Sequence, residues 1–156
     1  MSTVSELRVL SPCELTFPVS PPGFKGAHRF RLEPLQREGG PNPFGRLVAL
    51  EPVQLSDGTL SETIRMVVAA PRLLWPDFGV EIDDDTVALL ELEDPADAGT
   101  LIVVTLGATI ETSTANLAAP IVLNTRKLLA TQIVPKLDDA TKERFRVLLP
   151  IAAPTH

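Results

Sequence analysis

Short stretches that alternate apolar with polar residues, or run through Val, Ile, Leu and Thr, recur along this sequence, and each is soon closed by proline, glycine or a turn-forming Asp or Asn. A two-residue period buries one face of a strand, so this rhythm calls for sheet and leaves little room for long helices. Residues 28–35 carry it most cleanly, with Phe30 and Leu32 on one face and Arg29, Arg31 and Glu33 on the other. Strands are expected at 13–17, 28–35, from 44 or 46 to 53, 62–70, 100–109, 119–124, 128–135 and 145–150. The nearly continuous apolar run from Leu101 to Leu106 predicts burial on both faces. Ser56-Asp57-Gly58-Thr59 reads as a hairpin turn, since Asp-Gly supplies left-handed backbone. The fold class is all-β, mainly antiparallel: a small β-barrel-like or sandwich domain with one short helix.

The helix is placed after Asp83-Asp84-Asp85, because acids immediately before the run from Thr86 to Leu92 fit a capped N-terminus. Val87, Leu90 and Glu91 fall at helical spacing there. The triple Asp is not a calcium loop, since Ala88 stands where such a loop needs glycine. Pro18, Pro21, Pro22 and Gly23 make a stiff turn, with a positive φ expected at Gly23 and Phe24 dropping into the core. Residues 36–43 are a loop, and Trp75 and Phe78 cover one end of the core. Within residues 114–124, Asn116 predicts a turn, residues 120–123 a short core strand opened by Pro120, and Asn124 a polar lock.

With 156 residues the chain fits one domain, residues 13–150, flanked by residues 1–12 as a flexible start or edge strand and by a loose tail, 151–156. One cysteine, Cys13, excludes an intramolecular disulfide and a Cys-rich zinc site. Absence of a signal-like start and of an apolar run of membrane-spanning length points to a soluble intracellular chain.

Charge is unevenly spread. Residues 1–72 hold eight bases and seven acids, residues 126–156 six bases and three acids, and residues 73–125 ten acids with no Lys or Arg. Such a segment repels phosphate, which argues against direct nucleic-acid binding. It either steers a basic protein partner or is simply a solvated acidic surface.

Chemistry-bearing patterns are sparse. His28 and His156 are the two histidines, too few for a convincing triad or catalytic metal centre. No glycine-rich phosphate cradle occurs, and the carboxylates do not single out an acid–base pair. The expectation is a non-enzymatic chain with no cofactor and no metal.

The stretch Thr114-Ala115-Asn116-Leu117-Ala118-Ala119-Pro120-Ile121-Val122-Leu123-Asn124, followed by Gln132-Ile133-Val134, resembles the central signature of the FliW flagellar assembly factors. Phe17-Pro18 with Pro22-Gly23-Phe24, Pro43-Phe44, Pro71-Arg72-Leu73 with Pro76-Asp77-Phe78, and Glu91-Leu92-Glu93-Asp94-Pro95 are similar to further family features, in order. The sequence departs from the family at Arg46, where Trp is common, at Ala70 in place of an acid, at Ala130 in place of glycine, and in a longer 54–63 connection; a late tyrosine is also missing. The resemblance implies a cytoplasmic, monomeric, non-enzymatic switch protein that binds flagellin and antagonises the RNA-binding translational repressor CsrA, touching neither nucleic acid nor membrane. A repressor that grips RNA carries basic surface, which favours a protein-binding acidic face made of Asp77, Glu81, Asp83, Asp84, Asp85, Glu91, Glu93, Asp94 and Asp97. Asn116, Pro120, Asn124 and Gln132 match the motif and are expected to hold loops and strands together. The competing reading is a β-barrel module for a small ligand or another assembly subunit, without translational regulation.

Overall fold

A computed structural model describes residues 12–21, 24–34, 44–55, 57–61, 65–71, 79–105, 108, 112–133 and 146–148. The readings for residues 1–11, Gly23, 36–43, Trp75, Asp77, Phe78 and the tail lie outside them, as do the strand ends read at 62–64, 106–107, 109, 134–135, 145 and 149–150. Within them are strands β1 (Cys13–Thr16), β2 (Arg29–Pro34), β3 (Phe44–Ala49), β4 (Val53–Gln54), β5 (Leu60–Ser61) and β6 (Arg65–Ala69). There follow helix α1 (Asp84–Leu89), a 3-10 turn (Pro95–Asp97), and strands β7 (Ala98–Thr105), β8 (Thr114–Asn124), β9 (Leu129–Gln132) and β10 (Arg146–Leu148).

Seven strands close on themselves in the order β8-β7-β6-β3-β2-β1-β9, with β9 pairing back to β8. Every pairing is antiparallel except β1 with β9, which meet at the single register pair Thr16↔Leu129. The all-β reading holds, and closure makes it a barrel, which leaves fewer exposed edges than an open sandwich. β8 is long enough to have two neighbours on one side: its end at 121–124 pairs with β9 and its start at 114–116 with β10.

Inside the barrel the alternation in β2 works as its sequence requires, with Phe30 and Leu32 fully buried. Phe17 and Phe24 meet Phe30 edge-on at 5.1 and 5.6 Å, and Leu15, Leu47, Val68, Leu101 and Ile121 fill the same core. A second, smaller cluster of Phe44, Ala69, Ile102, Val104 and Ala115 uses the opposite faces of the same strands. Leu101 and Ile102 are adjacent yet both buried, which accounts for the unbroken apolar run in β7.

Several boundaries differ from the local reading. Asn116 is not in a turn: it lies in β8, opposite Val103 on one side and Arg146 on the other, so strands on both flanks override its turn propensity. The short strand read at 120–123 is the second half of this longer one. Between Ile121↔Leu101 and Asn116↔Val103, residues 117–120 face the single residue Ile102, a bulge that ends on Pro120. The strand expected to reach Val53 breaks at residues 50–52, where Gln54 N–H turns to donate to Lys25 O at 2.8 Å. β4 and β5 then form a separate two-stranded hairpin around Gly58, which has φ 88°. Glu91 is outside the helix, at φ 56° and exposed, and Leu128 precedes β9 at φ 58°.

Candidate functional site

The acid-rich segment begins with α1. Asp83 caps it, its Oδ1 accepting from Thr86 N–H at 2.8 Å. Hydrogen bonds from the Thr86 hydroxyl and N–H hold the Asp83 carboxyl below its ordinary range. At the other end Leu92 N–H donates to Val87 O and Glu91 N–H to Ala88 O, the paired closure of a Schellman motif. Glycine usually takes the left-handed position in that motif; here Glu91 does. Three residues on, Asp94 Oδ1 accepts from Ala96 N–H at 2.9 Å and caps the 3-10 turn. Two of the expected acidic-face residues thus spend an oxygen on the backbone.

Four successive residues at the end of β8 hold this segment against the barrel. Asn124, 2% exposed, donates through Nδ2 to Leu90 O at 2.9 Å and Glu91 O at 3.2 Å. Its Oδ1 accepts from Arg126 N–H at 2.9 Å and Lys127 N–H at 3.1 Å, so all four hydrogen-bonding positions of the amide are used. Thr125 donates to Asp97 O from both N–H and hydroxyl at 2.8 Å. Arg126 reaches Asp97 at 3.6 Å, and Lys127 bridges Glu91 at 3.0 Å and Glu93 at 3.6 Å. The hydrogen bond to Glu91 raises the Lys127 ammonium above its ordinary pKa.

Of the nine carboxylates expected on an acidic face, Asp77 is outside the described residues. Asp83, Asp84, Asp85, Glu91, Glu93, Asp94 and Asp97 lie along α1, the 3-10 turn and the link between them, and Glu81 just before. Glu81, Asp84 and Asp85 are exposed and, among the described residues, enter no ion pair. Sequence reasoning missed Thr125, Arg126 and Lys127. The two bases stand immediately after the charge boundary at residue 125, and their adjacency to the motif's last Asn was the available signal.

The other motif residues sit at the bulge. Gln132 Nε2 donates to Ala119 O at 3.0 Å, and Ile133 N–H donates to Pro120 O at 2.9 Å. Thus two carbonyls of the irregular stretch find donors on β9's side. Arg46 faces Glu33 across β2–β3 and bonds it at 2.9 Å, while Arg31 bonds the other oxygen at 2.6 Å. Ala70 and Ala130 are fully buried in the core. His28 is braced locally, with Nδ1 2.9 Å from Phe17 O and Nε2 3.3 Å from Ser20 Oγ. Among the described residues no three His, Cys, Asp or Glu side chains are grouped to hold a metal, and no helix is long and apolar enough to cross a membrane.

Fold and site define a class: closed, mainly antiparallel β-barrels carrying an acid-rich helical segment pinned to one of their turns. The sequence matches the family model described as FliW protein over residues 2–147. The Flagellar assembly factor FliW of Bacillus licheniformis is 40% identical over 113 residues, 72% of this chain and 71% of the relative. That of Bacillus velezensis is 33% identical over 138 residues, covering 88% and 87%. The chain therefore belongs to the FliW family. A solved structure titled "Crystal structure of the flagellar assembly factor FliW" shares the fold at a TM-score of 0.62 and 24% identity, over 91% of this chain and 86% of that one.

Proposed function

We propose that this chain is a cytoplasmic flagellar assembly factor that works by binding, as a monomer, to flagellin and to the translational repressor CsrA, coupling flagellin synthesis to its use. The match to the family along residues 2–147 carries the proposal. It makes and breaks no covalent bond and binds neither nucleic acid nor membrane in this reading. The acid-rich segment supports a basic partner, because carboxylates concentrated on one segment raise encounter rates with a cationic surface. Glu81, Asp84 and Asp85 are the side chains best placed to act in steering, since they are exposed and neither cap a turn nor pair with Arg126 or Lys127.

Titrating the purified chain with flagellin and with CsrA tests the reading; failure to bind either, with the chain folded, overturns it. Reversing charge at Glu81, Asp84 and Asp85 together is expected to slow association with the basic partner by about tenfold at low salt and to flatten its salt dependence. An unchanged on-rate in stopped-flow mixing would remove the acidic face and leave the family assignment in place.

A further inference from the structure

Residues 84–97 are attached to the barrel in an unusual way. Among the described residues, apart from the helix cap at the neighbouring Asp83, every side-chain hydrogen bond or ion pair from this segment to the rest of the chain comes from the four consecutive residues Asn124, Thr125, Arg126 and Lys127. Its turns are otherwise closed locally, by the caps at Asp83 and Asp94 and by the Schellman closure. It can therefore leave the barrel by giving up these contacts and the burial of Leu90, and once detached its six-residue helix is too short to persist, so its amides open to solvent. The backbone on both sides of these contacts is also costly: among the described residues, Glu91, whose O accepts from the Asn124 amide, and Leu128, whose N–H donates to Asn124 O, are the non-glycine residues at positive φ.

From this we infer that residues 124–127 form a latch and residues 84–97 a strap, which opens as one unit from a barrel that stays intact. The inference goes beyond the binding reading and holds whether or not the strap meets a partner. The contacts of the latch are unequal. Lys127 and Glu91 are 41% and 59% exposed, so their ion pair holds the strap weakly. The Asn124 amide is buried and fully bonded, so of the polar contacts it holds the strap most strongly. Opening would expose Leu90, which is fully buried when the strap is closed. It would also reposition six carboxylates, Asp84, Asp85, Glu91, Glu93, Asp94 and Asp97, relative to the sheet.

Native-state hydrogen exchange on the full chain tests this. The amides of Leu90, Leu92 and Asp97 donate inside the strap, and that of Val87 to Asp83 O at its edge. They are expected to exchange through one shared opening, faster than the amides of β2 and β3. Asn124→Ala should speed that opening by roughly tenfold or more, the size expected from unpairing a buried amide. The milder Thr125→Val, which removes only the hydroxyl bond to Asp97, should speed it by a few-fold, and Lys127→Gln should barely change it. Strap exchange should also respond to urea far less steeply than that of β2 and β3, because the barrel stays closed when the strap opens. If Asn124→Ala does not fold, Thr125→Val decides. Strap amides that exchange only together with β2 and β3, at the same rate and with the same urea dependence, or at unrelated or unaltered rates, overturn the latch.

Discussion

Glu91 carries two opposed effects at one position. Its left-handed backbone costs about 1 kcal/mol or more relative to glycine. Its exposed ion pair with Lys127 returns little, since solvent screens both partners. Glu91→Gly is therefore expected to leave stability unchanged or raise it by up to ~1 kcal/mol in urea denaturation, with the larger gain in high salt, where the lost ion pair counts least. A clear loss of stability would mean that the carboxylate matters more than the backbone. Asn124 is a simpler case, since one buried amide meets donors and acceptors on two elements and every position is filled. Its place as a lock is readable from its position after an apolar tripeptide, but the partners on α1's C-terminal side, some thirty residues earlier, are not.

Among the elements, the β4–β5 hairpin shows local chemistry deciding local structure. Asp57 Oδ1 accepts from both Thr59 N–H and hydroxyl, at 2.9 and 2.6 Å, and Gly58 takes φ 88° between them. Nothing lies within 4 Å of where a Gly58 Cβ would stand, so only the backbone conformation resists a side chain there. Gly58→Ala is expected to cost about 1 kcal/mol, read as a shift in the urea midpoint at constant slope. A neutral result would mean the turn rearranges without consequence. β8 shows the opposite balance. Its Asn116 and Pro120 both read as breaks, yet strands on either side carry the chain through as one element and place the irregularity in a four-residue bulge. Gln132 and Ile133 then supply donors to that bulge.

For the molecule as a whole, the titrating groups set the pH range of stability. Glu33 is held below its ordinary range by hydrogen bonds from Arg31 and then Arg46, and Glu51 by the N–H groups of His28 and Arg29. Asp57 and Asp83 are lowered by the hydroxyl and N–H of Thr59 and Thr86. A carboxyl whose pKa is lower when folded contributes stability above its unfolded pKa and loses it as pH falls through the folded value. Stability is therefore expected to be flat near neutrality and to fall below about pH 4. Lys127, raised by Glu91, contributes in the opposite sense: its share is complete below its unfolded pKa of about 10.4 and is lost as pH rises through the folded value. Urea midpoints measured from acid to alkaline pH check both limbs. Midpoints that rise on acidification would mean that these carboxyls bind protons more tightly in the folded chain than in the unfolded one, the reverse of what their hydrogen bonds require. Asp57, Asp83 and Lys127 are exposed and Glu33 and Glu51 half-buried at the surface, so the individual contributions are small.

What the sequence determined by itself was whatever depends on neighbours in the chain. The alternation of Phe30 and Leu32 with Arg29 and Arg31 specified a half-buried strand. Asp57-Gly58 specified a hairpin, the acids before Thr86 a helix start, and the ordered motif from Thr114 to Gln132 the family. Tertiary structure alone decided what depends on which strands lie side by side. Closure through the single pair Thr16↔Leu129, the passage of β8 through Asn116, and the seating of Arg126 and Lys127 on Glu91, Glu93 and Asp97 all join residues far apart in sequence. Side-chain period reports which face is buried but carries no register between distant segments. Such contacts arise only once the whole sheet has met the cost of closing its loops.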